Sequence, residues 1–163
     1  MECNCAECGC VGRGEVRLEP CANLTCCCSS TPVHAPDVAS RVRRAFESGD
    51  LQAFGALLAP HAQWGAPEQT VPTCQNRQQI LDWYQLAYDA GARATVTDVE
   101  THGGNLVVGL QVTGAPRAKK KDQVHVRWQV LGLADGLVTS ICGFERKGDA
   151  VASARSGRTG WSS

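Results

Sequence analysis

The sequence predicts an α+β fold, and two observations carry that expectation. Apolar residues recur at helical spacing from residue 37 to residue 91, and the period then changes to two between residues 93 and 145. Within the second stretch, Gly103-Gly104 and Asp135-Gly136 each separate two alternating runs, the signature of a pair of β-hairpins. Set apart from all this is the start of the chain, where eight of the ten cysteines lie between Cys3 and Cys28.

The helical half resolves into three elements. Val38, Val42 and Phe46 recur every four residues behind Pro36-Asp37, and Gly49 supplies a stop. Asp50 caps a second helix with Leu51, Phe54, Leu57 and Leu58 on its apolar face and Pro60 at its end. A short strand is expected around residues 63–66. Asn76 and Gln79 have capping-box spacing ahead of a third helix, whose stripe is Ile80, Leu81, Tyr84, Ala87 and Tyr88 and whose stop is Gly91. The long strands follow at 93–101, 105–113, 123–132 and 137–145, with Lys119-Lys120-Lys121 in a solvated loop between the hairpins. The folded domain is therefore expected over residues 37–146. A polar, proline-punctuated linker at 32–36 joins it to a cysteine-rich segment at 1–31, and residues 147–163 read as a flexible tail.

Composition excludes several roles. Sixteen Lys+Arg balance sixteen Asp+Glu, so the chain has no charge surplus with which to grip nucleic acid or an anionic membrane. Apolar runs such as residues 106–110 are far too short to span a bilayer. The N-terminus has neither the basic start nor the apolar run of a signal peptide, so a cytoplasmic, reducing compartment is expected.

That compartment gives the cysteines their meaning. Apart from Cys and Ala, residues 2–31 offer only Val11, Val16, Leu18 and Leu24 for burial. Four such side chains cannot offset an ordering entropy of about 1–2 kcal/mol per residue. Cys3, Cys5, Cys8, Cys10, Cys21, Cys26, Cys27 and Cys28 read instead as soft thiolate ligands for zinc, or for copper(I) or cadmium. The Cys-x-Cys pairs and adjacent cysteines favour sulfur-bridged clusters over a single zinc ribbon. Cys5-Ala6-Glu7-Cys8-Gly9-Cys10, followed by Val16 to Cys21, resembles small bacterial metallothioneins. Cys74 and Cys142 stand alone, and Cys142 is expected to be a small buried hydrophobe.

The folded part has its own resemblance. Ala45-Phe46-Glu47-Ser48-Gly49-Asp50-Leu51 through Pro60-His61-Ala62-Gln63-Trp64, then Arg77 to Tyr84, then Asp135-Gly136-Leu137-Val138 with Phe144-Glu145-Arg146, resembles the nuclear-transport-factor-2-like superfamily in its SnoaL-like (polyketide-cyclase-like) branch. The resemblance implies a curved antiparallel sheet wrapped around three helices. This cone-shaped, cystatin-like roll would hold an apolar pocket and form a homodimer through the sheet's outer face. It also implies a choice of chemistries, because the superfamily includes isomerases, cyclases, hydrolases and non-catalytic binding or scaffold proteins. The isomerases need a carboxylate base with donors for an enolate oxygen, and the epoxide hydrolases need a carboxylate–arginine–carboxylate cluster. Neither pattern is visible, since residues 106–113 and 123–133 contain no acidic side chain.

What alternation does offer is one face of a strand bearing Gln123, His125, Arg127 and Gln129, and another bearing Val124, Val126, Trp128 and Val130. The apolar set is expected inside and the polar set on solvent or a dimer interface. The sharper alternative aims His125 and Arg127 into the cone as base and anion holder. Trp64, Tyr84 and Trp128 are expected in the wall of a pocket for a hydrophobic cyclic small molecule. Asp98 and Glu100 are expected to meet water or Arg93, and His102 to be exposed. The leading functional reading is a metal–thiolate protein with a ligand-binding or dimerising domain. A SnoaL-like isomerase, cyclase or hydrolase, and an interaction scaffold, are the alternatives.

Overall fold

A computed structural model describes residues 35–115, 123–157 and Trp161. The chain divides between Pro32 and Val33, and the described residues all belong to the second unit. The eight cysteines of residues 1–31 and the lysine run at 119–121 lie outside them.

The element order is α1 (Ala35–Ser48), α2 (Leu51–Leu57), β1 (Leu58–Gly65), α3 (Arg77–Asp89), β2 (Arg93–His102), β3 (Asn105–Thr113), β4 (His125–Ala134), β5 (Leu137–Phe144) and α4 (Lys147–Ser156). The local signals act as the sequence says. The Asp50 carboxylate accepts from the Ala53 N–H at 3.0 Å and starts α2. Asn76 Oδ1 accepts from the Gln79 N–H at 2.9 Å, while Gln79 Oε1 accepts from the Gln75 N–H at 2.7 Å. Gly103 and Gly104, and Asp135 and Gly136, all have positive φ, as tight hairpin turns between right-twisted strands require.

The strands form one curved sheet in the order β1-β5-β4-β3-β2, antiparallel throughout except that β1 runs parallel to β5. The helices α1, α2 and α3 fill its concave face. Val38, Val42, Leu57, Ile80, Leu106, Val108, Leu131, Val138 and Ile141 form the main core there, each at most 1% exposed.

Three elements depart from the expectations. Leu58 and Pro60 belong to β1, not to the end of α2, and the strand starts five residues before Gln63. Proline is admissible because β1 is an edge strand, Pro60 is exposed, and the pairing with β5 is interrupted between Leu58 and Gln63. Residues 147–156 form α4 rather than a flexible tail. Ala150 and Ala154 of that helix are fully buried against Val107 and Val130, with Trp128, Phe144 and Val151 around them, in a second core on the convex face. Asn105 Nδ2 donates to the Ala154 carbonyl at 3.1 Å, and Gly157 closes the helix with φ 70°. Trp161, also expected in that tail, donates from Nε1 to the Gln69 carbonyl at 2.9 Å. The convex face, expected to be covered by a second copy, is thus covered over Val107 and Val130 by the chain's own helix.

Candidate functional site

The most chemically distinctive group of side chains lies where α1, α2 and α3 meet the concave face of β4. Phe46 of α1, Phe54 of α2 and Tyr84 of α3 pack with ring centroids 4.9–5.9 Å apart. Above them the Tyr84 hydroxyl meets the side-chain amide of Gln129 on β4, at 3.0 Å from Nε2 and 3.3 Å from Oε1. Gln129 is 7% exposed and is one of three buried polar side chains among the described residues. A buried amide in an apolar setting is costly unless paired, and Tyr84 supplies the pairing from 45 residues away.

Trp64 closes the group on the β1 side. Two backbone hydrogen bonds of 2.9 Å tie it to Cys74, and its ring stacks on Trp83 at 4.3 Å, which in turn meets Tyr84 edge-on at 5.2 Å. Trp83 is 41% exposed, so this aromatic run leads from solvent to the Tyr84 hydroxyl. The Trp64 Nε1 is buried and acts on the Tyr84 hydroxyl without forming a hydrogen bond of good geometry. Burial pushes the Tyr84 phenol well above its ordinary range, with the Gln129 hydrogen bond working in the opposite direction. The phenol therefore stays protonated at neutral pH and acts as a donor. Burial likewise raises the Cys74 thiol, whose Sγ lies 3.6 Å from the Gln79 carbonyl.

The sequence-predicted residues are only partly brought together. Trp64 and Tyr84 share the concave site, but Trp128 does not: it lies on the convex face, with the Lys147 ammonium 5.2 Å from its ring. Across from it, Gly109 leaves room that no side chain could occupy, because a Cβ there would stand 2.8 Å from both the Trp128 ring and Thr97 Oγ1. His125 and Arg127 share the concave face with Gln129, yet Arg127 sits at the rim, half exposed, and pairs with the exposed Glu145 at 3.1 Å. The expected inside–outside assignment of β4 fails because helices cover both faces of this sheet. Gln129 and Leu131 point into the main core, Trp128 and Val130 lie under α4, and Val124 and Val126 are exposed.

The acidic residues of β2 also go elsewhere. Lys147 Nζ donates to Asp98 at 2.7 Å and to Glu100, while His102, expected to be exposed, lies 2.8 Å from Glu100. Lys147 and His102 together hold the Glu100 carboxyl down to about 2. Arg93 instead lies over the Tyr88 ring at 3.8 Å and donates to the Tyr88 carbonyl. This cluster pins α4 to the convex face. Among the described residues no carboxylate is buried, and none of the His, Cys, Asp and Glu side chains gather in threes as a metal site. Cys142 is buried, its thiol raised to about 11 by desolvation and by Glu68. A bulge in the β4–β5 pairing between Gly132 and Leu133 moves Val138 to the main core, on the face opposite Cys142.

Comparison with known proteins agrees with this architecture. Residues 39–141 match the SnoaL-like domain family. No curated protein matches the chain by sequence. Among solved structures, a cystatin-fold protein from Novosphingobium aromaticivorans superposes with a TM-score of 0.57 at 11% identity, covering 66% of this chain and 95% of its own. A candidate polyketide cyclase from Sinorhizobium meliloti gives 0.55 at 20% identity, covering 67% and 94%. A candidate ketosteroid isomerase from Kribbella flavida gives 0.54 at 24% identity, covering 68% and 76%. At these identities the likeness is one of fold.

Proposed function

The chain belongs to the SnoaL-like domain family, and on that premise we propose that its cone holds a hydrophobic cyclic small molecule by a carbonyl group, as an isomerase or cyclase of that family would. The observation that carries this reading is the pair of a partly buried Tyr84 and a buried Gln129 beneath an aromatic wall. A protonated phenol and a primary amide are neutral donors suited to a carbonyl or enolate oxygen, and the buried Trp64 Nε1 adds a third. The neutrality of these groups favours an uncharged ligand over a carboxylate. The chain's own contribution to chemistry is then to orient the carbonyl and stabilise charge that develops on its oxygen.

The test uses 2-tetralone, an enolisable bicyclic ketone. Binding should quench the fluorescence of Trp64 and Trp83, and exchange of its α-protons in D2O should be accelerated, with deuteroxide or buffer taking the proton while the site's donors hold the enolate oxygen. Tyr84→Phe should reduce that acceleration at least tenfold. Quenching without accelerated exchange would leave a binding protein, and the loss of both would remove this reading.

A second reading concerns residues 1–31. Eight cysteines within 28 positions support thiolate binding of zinc, or of copper(I) or cadmium, by Cys3, Cys5, Cys8, Cys10, Cys21, Cys26, Cys27 and Cys28. Elemental mass spectrometry of protein purified without chelator is the measurement. Less than one metal per chain would reject it.

A further inference from the structure

A second concave surface lies outside the cone. α1 packs beside β2, the strand at the free edge of the sheet, and a groove of about 460 Å³ opens there, lined by Ala39, Ser40, Arg43, Arg44, Glu47 and Val99. Positions 40, 43, 44 and 47 recur at three- and four-residue spacing, so one stripe of α1 supplies the polar wall. The neighbouring stripe, Val38, Val42 and Ala45, is buried in the main core and fixes that wall in place.

The lining has two parts. Ala39 and Val99 are partly buried against the core and form an apolar floor. Above it stand two guanidinium groups and one carboxylate. Arg43 and Glu47 approach only to 4.0 Å with both side chains 45% exposed, a loose pair worth little in water. Arg44 has no ion-pair partner among the described residues. Two positive charges against one negative leave the groove one positive charge in surplus, which matches a monoanion.

We propose that this groove binds a small amphiphilic carboxylate. Arg44, with Arg43, takes the carboxylate through the planar guanidinium fork, and the hydrocarbon body lies on Ala39 and Val99. An inorganic anion would leave the floor uncovered, whereas each methylene laid on it adds up to about fourfold in affinity. The site is separate from the cone and its ligand differs in charge from the one proposed there.

The experiment is an NMR titration of the full chain, read on backbone amides, with sodium hexanoate and with sodium acetate as probes. Hexanoate should move the amides of residues 39–47 and of Val99, and acetate should bind at least tenfold more weakly. Arg44→Ala should weaken hexanoate about tenfold, and Glu47→Gln should tighten it several-fold by removing the competing carboxylate. Arg41→Ala, an exposed arginine of α1 outside the groove, should leave affinity within twofold. All three positions are exposed, so the variants should keep the fold, which circular dichroism checks. Three results would each overturn the proposal. Arg41→Ala could weaken binding as much as Arg44→Ala, which would indicate diffuse charge attraction. Acetate could match hexanoate, which would leave no role for the floor. Shifts could centre on Tyr84 and Gln129, which would place the carboxylate in the cone.

Discussion

Removing the Tyr84 hydroxyl should destabilise the domain by leaving its partner stranded, and removing both partners should restore much of what is lost. Gln129 is 7% exposed and its amide meets Tyr84 at 3.0 Å, so Tyr84→Phe leaves a buried amide short of a partner. The expected loss is about 1–3 kcal/mol, the desolvation penalty of an unsatisfied buried polar group. Gln129→Leu should lose a similar amount, because the phenol is then unpaired. In the double variant neither polar group remains, and an apolar pair of similar shape is close to neutral. The coupling between the two sites should therefore reach about 2–6 kcal/mol, the sum of the two single losses, with the double variant far more stable than additivity predicts. Urea denaturation followed by tryptophan fluorescence gives all four free energies, and each kcal/mol should appear as a melting shift of about 4 °C for a domain of this size. Additive losses, or single variants within about 0.5 kcal/mol of the parent, would refute the idea that these groups satisfy each other. The double variant also separates stability from function, since it should keep the fold while losing 2-tetralone binding.

Other expectations follow from the convex face and from the first segment. Glu100 is held at about 2 against an ordinary value of 4.5, so the unfolded chain binds more protons between those values. The contribution of Glu100 is complete above pH 4.5 and disappears as pH falls through about 2; Glu100→Gln should flatten stability across that window, and an unchanged pH profile would show that Lys147 and His102 do not hold it. Gly109→Val should displace Trp128 or strain β3, lowering stability by about 1–3 kcal/mol or more, as measured by thermal melting. Deleting residues 1–31 should leave the melting transition of the domain within about 2 °C, because the sequence beyond residue 36 carries its own helix caps, hairpin turns and apolar periods, while removing most metal uptake. A truncated chain that still carries its full metal content would shift the ligands to the domain.

Where a signal was local, the sequence was enough. Asp50, Asn76 with Gln79, Gly103-Gly104 and Asp135-Gly136 act on their own neighbours through short hydrogen bonds or positive φ, so caps and turns could be read before any packing was known. The α+β order was legible for the same reason, as the succession of two hydrophobic periods, while the family was legible as a resemblance carried by residues 45–64, 77–84 and 135–146. Which face of a strand looks inward is a different kind of question. Alternation in β4 distinguishes two faces but not their surroundings, and here Trp128 and Val130 meet α4 while Gln129 and Leu131 enter the main core. α4 itself left no stripe to find, since it buries only Ala150 and Ala154, and its place depends on the apolar surface of β3 and β4 and on Asp98 and Glu100 receiving Lys147. The site was half visible. Tyr84 stood on a recognisable helical stripe, but Gln129 looked like one more polar residue on an outward face. Only the tertiary structure, by bringing a phenol and a buried amide 45 residues apart to 3.0 Å, gives that glutamine a role.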